Sequence, residues 1–411
     1  MQRWHAGVAR GPKGAVRRRA GRGKTLLSRL MYCICSRPMT TNVVKLDVGN
    51  IDLAKIREAA SVIEGGGLVA FPTETVYGIA CRAKSDSLAR LSEIKGRTAE
   101  KHFTLHIARR DDLDDYVPVV GIRGRKLVRQ AWPGPLTVVF ELDSKAIETL
   151  RGRFEADVFG SLYRQDSIGV RCPDHAVAAA LLRETRVPVV APSANRTGEP
   201  PAVSAEHVLS QFAGRIEMLL DGGPAKLGTS STVVKIGKKG MELLRAGAYS
   251  QKQVEQMSQV NFLFVCTGNT CRSPMAEGLF KKYLAEKLQC RVDELDKIGY
   301  KVSSAGIIGM SGFPASDEAI TACAGKGVDI SAHRNRGLTR ELIDESDFVY
   351  AMEQVHLKRI IVLQPEAASK SYLLAGTAGI PDPMGHPQEV YDNCTNIIER
   401  AVKGRISELA I

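Results

Sequence analysis

The sequence lacks the features that mark membrane-spanning, disulfide-stabilised and zinc-binding chains. No run approaches 18 uninterrupted apolar residues, so we expect no membrane-spanning helix. No Cys-x-x-Cys pair occurs among the nine cysteines, and their odd number argues against a disulfide framework. These absences favour a reducing, cytoplasmic setting in which most thiols are buried. With 411 residues the chain is long enough for two or three domains.

Acidic residues are absent from residues 1–42, which carry ten Lys and Arg. Removing these ten from the net charge of +12 leaves about +2 for residues 43–411, so the rest of the chain is nearly neutral. Three explanations of the basic segment stay open: a transit peptide, a segment that binds RNA or an acidic surface, and sequence upstream of a true start at Met39.

Apolar runs alternate with amphipathic segments through two parts of the chain. Residues 43–250 predict a mixed α/β domain with strands at 67–71, 167–171, 187–191, 217–221, 231–236 and 241–245. The polar stretch 251–259 is interpreted as a linker. Residues 260–411 predict strands from Val260 and near 300–304, 347–351 and 371–374, separated by helical segments. Regular alternation of strand and helix predicts a doubly wound parallel sheet.

The motif with the clearest chemistry is CTGNTCRSP, which follows an apolar strand and precedes a helix. A thiolate that attacks phosphorus needs a pKa well below the ordinary value of ~8.5. Backbone amides of a tight loop and a helix N-terminus supply the required positive field. The motif therefore predicts Cys266 as a nucleophile, Arg272 as the phosphate ligand, and supporting loop residues. Those supporting residues are Thr267, Gly268, Asn269, Thr270, Cys271 and Ser273.

Residues 260–411 resemble the low-molecular-weight protein-tyrosine phosphatases, through this loop, the Ser303–Gly306 stretch, residues 346–356 and the pair Asp382-Pro383. The resemblance implies a phosphocysteine intermediate on Cys266 and no metal. It also implies that Asp382 is the acid and base, and that Ser304 braces Asn269.

Two departures from that family concern the substrate. Met384-Gly385-His386 stands where aromatic side chains usually follow Asp-Pro, and Ile307-Ile308 follows the Ser-Ala-Gly stretch, so no aromatic sandwich is visible. Thr270 resembles the threonine of bacterial protein-arginine phosphatases. Phosphoarginine is therefore preferred over phosphotyrosine, and both stay open. An arsenate reductase is a minor alternative, and Cys271 is a candidate for a protective disulfide with Cys266.

The first half carries a second group of motifs: FPTETVYG from Phe71, KGR from Lys95, WPGPLT from Trp132 and APSAN from Ala191. Cations at the ends of strands and helices, with Ser and Thr donors nearby, suit a triphosphate and a carboxylate. Together these motifs resemble the YrdC-like threonylcarbamoyl-AMP synthases, over about residues 45–250.

That resemblance implies condensation of L-threonine with bicarbonate and adenylation by ATP with Mg²⁺, for modification of tRNA adenosine. It assigns threonine binding to Thr73, His106, Arg171 and Ser231. It assigns ATP binding to Lys95, Arg97, Ser167, Ser193, Asn195 and Arg245. Expected partners are the tRNA-modification enzymes that act downstream, a phosphorylated protein and, as an open alternative, RNA, including double-stranded RNA. Thr98 and Lys101–Phe103 depart from the family pattern. A non-enzymatic alternative is a nucleotide- or RNA-binding module tethered to the phosphatase.

Overall fold

The computed structural model describes residues 39–97, 103–237, 240–309 and 311–411, and Met39–Ile411 forms one compact unit. Residues 1–38 of the basic segment, whose role the sequence left open, lie outside the described residues, as do Thr98, Lys101 and His102. Within the described ranges, no helix combines the length and apolar character needed to cross a bilayer.

The N-terminal domain interleaves helices with short strands. In chain order they are β1 Asn42–Lys45, α1 Leu53–Glu64, β2 Val69–Phe71, β3 Gly78–Arg82, α2 Ser85–Lys95, β4 Thr104–His106, a 3₁₀ helix Arg110–Asp115, α3 Ile122–Ala131, β5 Leu136–Glu141, α4 Ser144–Arg153, α5 Ala156–Leu162, β6 Ser167–Arg171, α6 Ala176–Glu184, β7 Val189–Val190, α7 Ala205–Phe212, β8 Met218–Asp221, β9 Thr232–Gly237, β10 Gly240–Arg245 and α8 Gln251–Ser258.

In the described part of the chain these strands form a ten-stranded mixed sheet, in the order β1-β8-β2-β3-β7-β4-β6-β5-β9-β10. The six strands predicted from apolar runs are all present, so the predicted mixed α/β fold is confirmed. Helix α1 illustrates how an amphipathic sequence pattern predicts a helix, because Ile56, Ala59 and Ile63 are buried on one of its faces. At its N-terminus the Asp52 carboxylate accepts a hydrogen bond from the amide of Ala54.

The C-terminal domain has the predicted parallel sheet, in the order β12-β11-β13-β14. Its elements are β11 Val260–Cys266, α9 Arg272–Leu288, a 3₁₀ helix Val292–Glu294, β12 Tyr300–Gly306, α10 Asp317–Ala324, α11 Arg340–Glu345, β13 Phe348–Ala351, α12 Gln354–Leu363, a 3₁₀ helix Pro365–Lys370, β14 Ser371–Leu373 and α13 Gln388–Glu408. Alternate residues of β11 enter two separate apolar clusters, one on each face, so the sheet is covered on both sides.

The strand order reverses beside β11, because β12 lies on one side of it and β13 on the other. In a doubly wound sheet the crevice at the carboxyl ends of the strands opens at such a reversal. Cys266 is the last residue of β11 and therefore lies at this crevice.

The predicted linker is not an extended segment. Residues 251–258 form helix α8, capped by Ser250, and its Val254 and Ser258 are buried. This helix packs on α3, which also contacts the phosphatase domain. Arg123 of α3 donates to the Ser258 hydroxyl at 2.9 Å, and the amide of Ile122 donates to the carbonyl of Ala410 at 2.8 Å. Lys126 is paired with Asp347 at 2.7 Å. The backbone bond from Ile122 to Ala410 and the partly buried Lys126–Asp347 pair therefore join the two domains.

Candidate active sites

A cavity of about 420 Å³ in the N-terminal domain lies against one face of β4, β6, β5 and β9. Strand register places two rows of side chains across its floor. One row is His106, Arg171, Thr137 and Val233; the other is Thr104, Gly169, Val139 and Lys235. Since alternate residues of a strand face the same side, these rows are the period-two pattern of four strands brought into register.

Arg171 is buried on the cavity wall and is already paired. Its Nη2 donates to Glu74 Oε1 at 2.8 Å and to Thr75 Oγ1 at 2.7 Å. The Nε of the same guanidinium is buried without a hydrogen-bond partner among the described residues. Glu74 also accepts from the amide of Asp174 at 3.1 Å. Because a buried donor without a partner is costly, the free Nε is suited to an oxygen of a ligand.

His106 is held neutral beside Arg171. Burial, and then the charge of Arg171, lowers the pKa of His106 to about 3. Its Nδ1 lies 3.1 Å from the carbonyl of Thr104, which can only accept, so Nδ1 carries the proton. Nε2 is then an acceptor at the cavity wall, suited to an ammonium or hydroxyl group.

Ser231 and Arg245 form a second polar wall. Arg245 Nη2 donates to the Ser231 hydroxyl at 3.0 Å and to the Ser231 carbonyl at 2.7 Å, and the hydroxyls of Ser231 and Thr137 are 3.0 Å apart. Burial and the charge of Arg171 lower the pKa of Arg245. Burial and the charge of Arg245 do the same for Arg97. The guanidinium groups of Arg97, Arg171 and Arg245 thus converge on one cavity. Of these three, Arg171 is paired with the buried carboxylate of Glu74.

The remaining predicted residues divide into lining and supporting groups. Thr73, Ser167 and Ser193 line the cavity. Lys95 and Asn195 are not among its lining residues in the described structure, and the direct ATP contacts that the resemblance implied for them stay a prediction. The Lys95 ammonium donates to the carbonyls of Ser193 and Asn195, and the Asn195 amide donates to the Glu199 carbonyl at 2.6 Å. Both residues therefore fix the loop that carries Ser193.

Several lining residues were not predicted from the motifs, among them Thr104, Gln165 and Lys235. Phe103 also lines the cavity, and the Arg97 guanidinium lies 4.6 Å from the centre of its ring. The signal for Thr104 and Lys235 was present as strand alternation around His106 and Val233. It could be used only once the strands were known to be neighbours.

The second site is the cradle that follows β11. Cys266 is buried, with its Sγ 2.9 Å from the Ser273 hydroxyl and accepting from the amide of Asn269 at 3.2 Å. Asn269 is left-handed, with φ of 57°, a conformation that asparagine tolerates better than most residues. Gly268 is not among the left-handed residues.

The side chain of Asn269 holds the loop from Cys266 to Arg272 in place through three hydrogen bonds. Its side-chain amide donates to the hydroxyls of Ser273 and Ser304, at 2.8 Å each, and its oxygen accepts from the amide of Arg336 at 3.0 Å. The predicted brace between Ser304 and Asn269 is therefore present. Residues from three elements thus hold one buried amide, which limits the conformations open to the loop.

Arg272 lies beneath the cradle with 1% of its side chain exposed. Its Nη1 donates to Glu353 Oε2 at 2.5 Å and to the carbonyl of Ile380 at 2.9 Å. Its Nη2 donates to the Asp382 carboxylate and, at 3.2 Å, to the Thr267 hydroxyl. The structure therefore brings together the predicted nucleophile loop, the arginine and the acid. Glu353 was not predicted, and no local pattern identified it.

His356 was also not predicted as part of this site. It is fully buried; its Nδ1 accepts from the amide of Glu353 at 3.0 Å, and its Nε2 lies 2.9 Å from the Thr267 hydroxyl. Burial, and then the charge of Arg272, lowers the pKa of His356 to about 4. The neutral imidazole ring therefore links the backbone amide of Glu353 to the side chain of Thr267, the residue that follows Cys266.

Burial raises the pKa of the Cys266 thiol, while the Ser273 hydroxyl and amide, Arg272 and the Asn269 amide lower it by less. This direction is opposite to the lowered pKa that a thiolate nucleophile needs, and its main cause is the burial of the sulfur. Arg272, the nearby cation, also shares its charge with two carboxylates.

Cys271 and Thr270 are the remaining loop residues, and Phe313 is an exposed aromatic residue on a neighbouring loop. Cys271 directs its sulfur towards Tyr391 and Ser316, at 3.5 and 3.6 Å, so its disulfide with Cys266 stays a prediction. The Thr270 hydroxyl lies 3.6 Å from that sulfur. Phe313, 55% exposed, belongs to a loop held by Asn335, which also donates to the carbonyl of Gly268 at 3.1 Å. An aromatic side chain therefore does lie on a loop tied to the cradle.

Comparison with known proteins assigns both halves. Residues 61–247 match the sequence model of the Sua5/YciO/YrdC family, described as telomere recombination, and residues 261–410 match that of the low molecular weight phosphotyrosine protein phosphatases. A threonylcarbamoyl-AMP synthase of Pyrococcus abyssi is 31% identical over 278 residues, 64% of this chain and 78% of the relative. The chain belongs to both families. It is therefore an enzyme with a synthase domain and a phosphatase domain.

Further relatives each match only part of this chain. A threonylcarbamoyl-AMP synthase of Bacillus subtilis is 36% identical over 49% of this chain, which spans 56% of that relative's length. A low molecular weight protein tyrosine phosphatase structure from T. tengcongensis is 36% identical, with a TM-score of 0.33, over 37% of this chain and all of that chain.

Proposed function

We propose that the synthase domain makes L-threonylcarbamoyl-AMP. The threonine nitrogen takes up the carbon of bicarbonate with loss of water, and the resulting carbamate oxygen attacks the α-phosphorus of ATP, releasing pyrophosphate. The observation that carries this proposal is the convergence of Arg97, Arg171 and Arg245 on one cavity, with the buried carboxylate of Glu74 behind its wall as the partner of Arg171. Such an excess of cations neutralises a triphosphate and a carboxylate, and catalysis is then mainly positioning.

The neutral His106 and the hydroxyls of Thr73 and Ser231 suit the amino acid, since they offer both acceptors and donors. The cavity fits Mg²⁺ only through the nucleotide. Among the described residues no group of three His, Cys, Asp or Glu side chains is placed to hold a metal. When bound, the ion would neutralise phosphate charge, and Lys235 and the arginines would act on the same oxygens.

The test is pyrophosphate release that requires both L-threonine and bicarbonate. Arg245→Met should lower the rate about 100-fold, because removing one preorganised charge donor typically has that effect. A folded protein that binds ATP and releases no pyrophosphate would instead support a nucleotide- or RNA-binding module. The tRNA-modification enzymes would be the consumers of the product.

We propose that the phosphatase domain hydrolyses phosphoarginine in proteins, with phosphotyrosine as the alternative substrate. The Cys266 thiolate attacks phosphorus while Asp382 gives a proton to the leaving nitrogen or oxygen. Water, deprotonated by Asp382, then cleaves the S–P bond and restores the thiolate. The contact of Arg272 with both the loop and Asp382 supports this assignment. Thr270 at the loop favours phosphoarginine.

The protonated form of Asp382 has a second consequence for the cradle. A neutral carboxyl group binds Arg272 more weakly, so the guanidinium can then stabilise the thiolate and the phosphoryl oxygens. We expect Asp382→Asn to lower the pKa of Cys266, measured as the pH dependence of iodoacetamide alkylation at that residue. Cys266→Ser should abolish both this alkylation and turnover of p-nitrophenyl phosphate. Turnover retained in that variant would refute the covalent mechanism.

A further inference from the structure

The phosphatase cradle holds more negative than positive charge. Arg272 is the cation that binds the phosphoryl group, and it is paired with the two carboxylates of Glu353 and Asp382. The side chains of these acids are 39% and 38% exposed, whereas Arg272 is 1% exposed. Both acids therefore reach from the buried guanidinium to the solvent side of the site.

The orientation of Arg272 does not depend on Glu353 alone. The carbonyl of Ile380 accepts from the same Nη1 at 2.9 Å, and the Thr267 hydroxyl accepts from Nη2 at 3.2 Å. The nearby His356 adds no positive charge, because its ring is neutral at pH 7. The second carboxylate therefore adds a full negative charge where two neutral acceptors already fix the arginine.

This charge has a different effect on different substrates. When Asp382 carries the proton for the leaving group, the Glu353 carboxylate is the remaining acidic partner of Arg272, next to the phosphoryl group and the thiolate. A phosphoryl group on a phenol brings no charge to balance Glu353, so the carboxylate opposes binding. A phosphoryl group on a guanidinium brings a cation close to it, and partly buried charges of opposite sign attract strongly.

We propose that Glu353 is a specificity-determining residue that binds the cationic guanidinium of a phosphoarginine leaving group. The inference rests on the phosphatase function proposed above and adds the side chain that distinguishes phosphoarginine from phosphotyrosine. It makes the exposed part of the Glu353 carboxylate a second ligand-binding surface, next to the phosphate cradle.

The experiment uses the full chain and two peptides of one sequence, carrying either phosphoarginine or phosphotyrosine. Glu353→Gln keeps the side-chain shape and an oxygen that can accept from Arg272, and removes only the charge. We expect kcat/KM to fall at least tenfold on phosphoarginine and to change less than threefold on phosphotyrosine. Glu353→Asp should recover part of the loss. Glu366→Gln, an exposed acid on the 3₁₀ helix, is the matched control and should change neither substrate.

A second readout does not depend on turnover of phosphoarginine. Free L-arginine should inhibit hydrolysis of p-nitrophenyl phosphate competitively, and Glu353→Gln should raise its Ki at least fivefold with an unchanged melting temperature. Equal losses on both peptides would mean that Glu353 only positions Arg272, and would overturn the inference, as would an unchanged rate on phosphoarginine. If the unmodified enzyme hydrolyses phosphotyrosine alone, the proposed substrate fails; if it hydrolyses neither peptide, the proposed phosphatase function itself fails.

Discussion

Gly306 offers a direct test of how tightly the phosphatase cradle is packed. A Cβ placed on it would lie 2.8 Å from the carbonyl oxygen of Thr267, 2.9 Å from the Asn269 amide nitrogen and 2.9 Å from the Gly268 carbonyl carbon. These neighbours are backbone atoms of the nucleophile loop, so no side-chain rotation relieves the contact. We expect Gly306→Ala to displace the loop by several tenths of an ångström and to destabilise the protein by about 1–3 kcal/mol.

The displacement should affect catalysis more than stability. A misplacement approaching 1 Å in a catalytic group can cost about 100-fold in rate, so kcat/KM on p-nitrophenyl phosphate should fall by one to two orders of magnitude. Gly309→Ala lies three residues further on and has no atom within 4 Å of the added carbon, so it is the matched control. Synthase activity should be unchanged in both variants. Full phosphatase activity in Gly306→Ala, with an unchanged melting temperature, would refute the packing argument.

Three further predictions concern stability. Lys126→Met should destabilise the chain by about 1–3 kcal/mol in chemical unfolding, because it removes the nearer cation of Asp347, which is only 14% exposed and keeps Arg129 at 3.8 Å. Lys84→Met, which breaks a more exposed pair, should cost at most about 1 kcal/mol. Arg171→Met should cost about 3–5 kcal/mol by leaving Glu74 buried and unpaired, and adding Glu74→Gln should recover part of it; a loss below 1 kcal/mol would contradict the pairing. The pKa of His356 is about 4 in the folded protein and ~6.5 in the unfolded chain, so the unfolded chain binds more protons between these pH values. The free energy of unfolding therefore falls as the pH drops from 6.5 to 4, by at most about 1.4 kcal/mol per pH unit. His356→Gln should remove this part of the pH dependence, and an unchanged slope would exclude a neutral buried ring.

Much of the phosphatase site could be predicted because its chemistry is local. The loop from Cys266 to Arg272 is continuous in sequence, and its strand, turn and helix follow from an apolar run and residue types that permit left-handed backbone. The acid Asp382 lies 110 positions further along, and it was placed only through the family resemblance. Glu353 and His356 lie in the stretch 346–356 that carries the resemblance, but no role was assigned to them, since their roles depend on β13 lying beside β11.

The synthase cavity shows the same division. The apolar run 167–171 predicted a strand, observed as β6, but the neighbour of each of its residues across the sheet depends on strand register. That register joins His106, Arg171 and Thr137, which are far apart in the chain. Pairing with Glu74 then decides how much of the arginine's charge is available to a ligand.

By itself, the sequence determined the two α/β domains and the strand, loop and helix around Cys266, because helical and strand periods and turn residues act over a few positions. The residues of the synthase site were named through the family resemblance. Only the tertiary structure decided that Lys95 and Asn195 support a loop and that residues 251–258 form a helix packed on α3. It also decided that Arg272 shares its charge with two acids. Those outcomes depend on burial and on contacts between distant segments, and both are set when the chain packs.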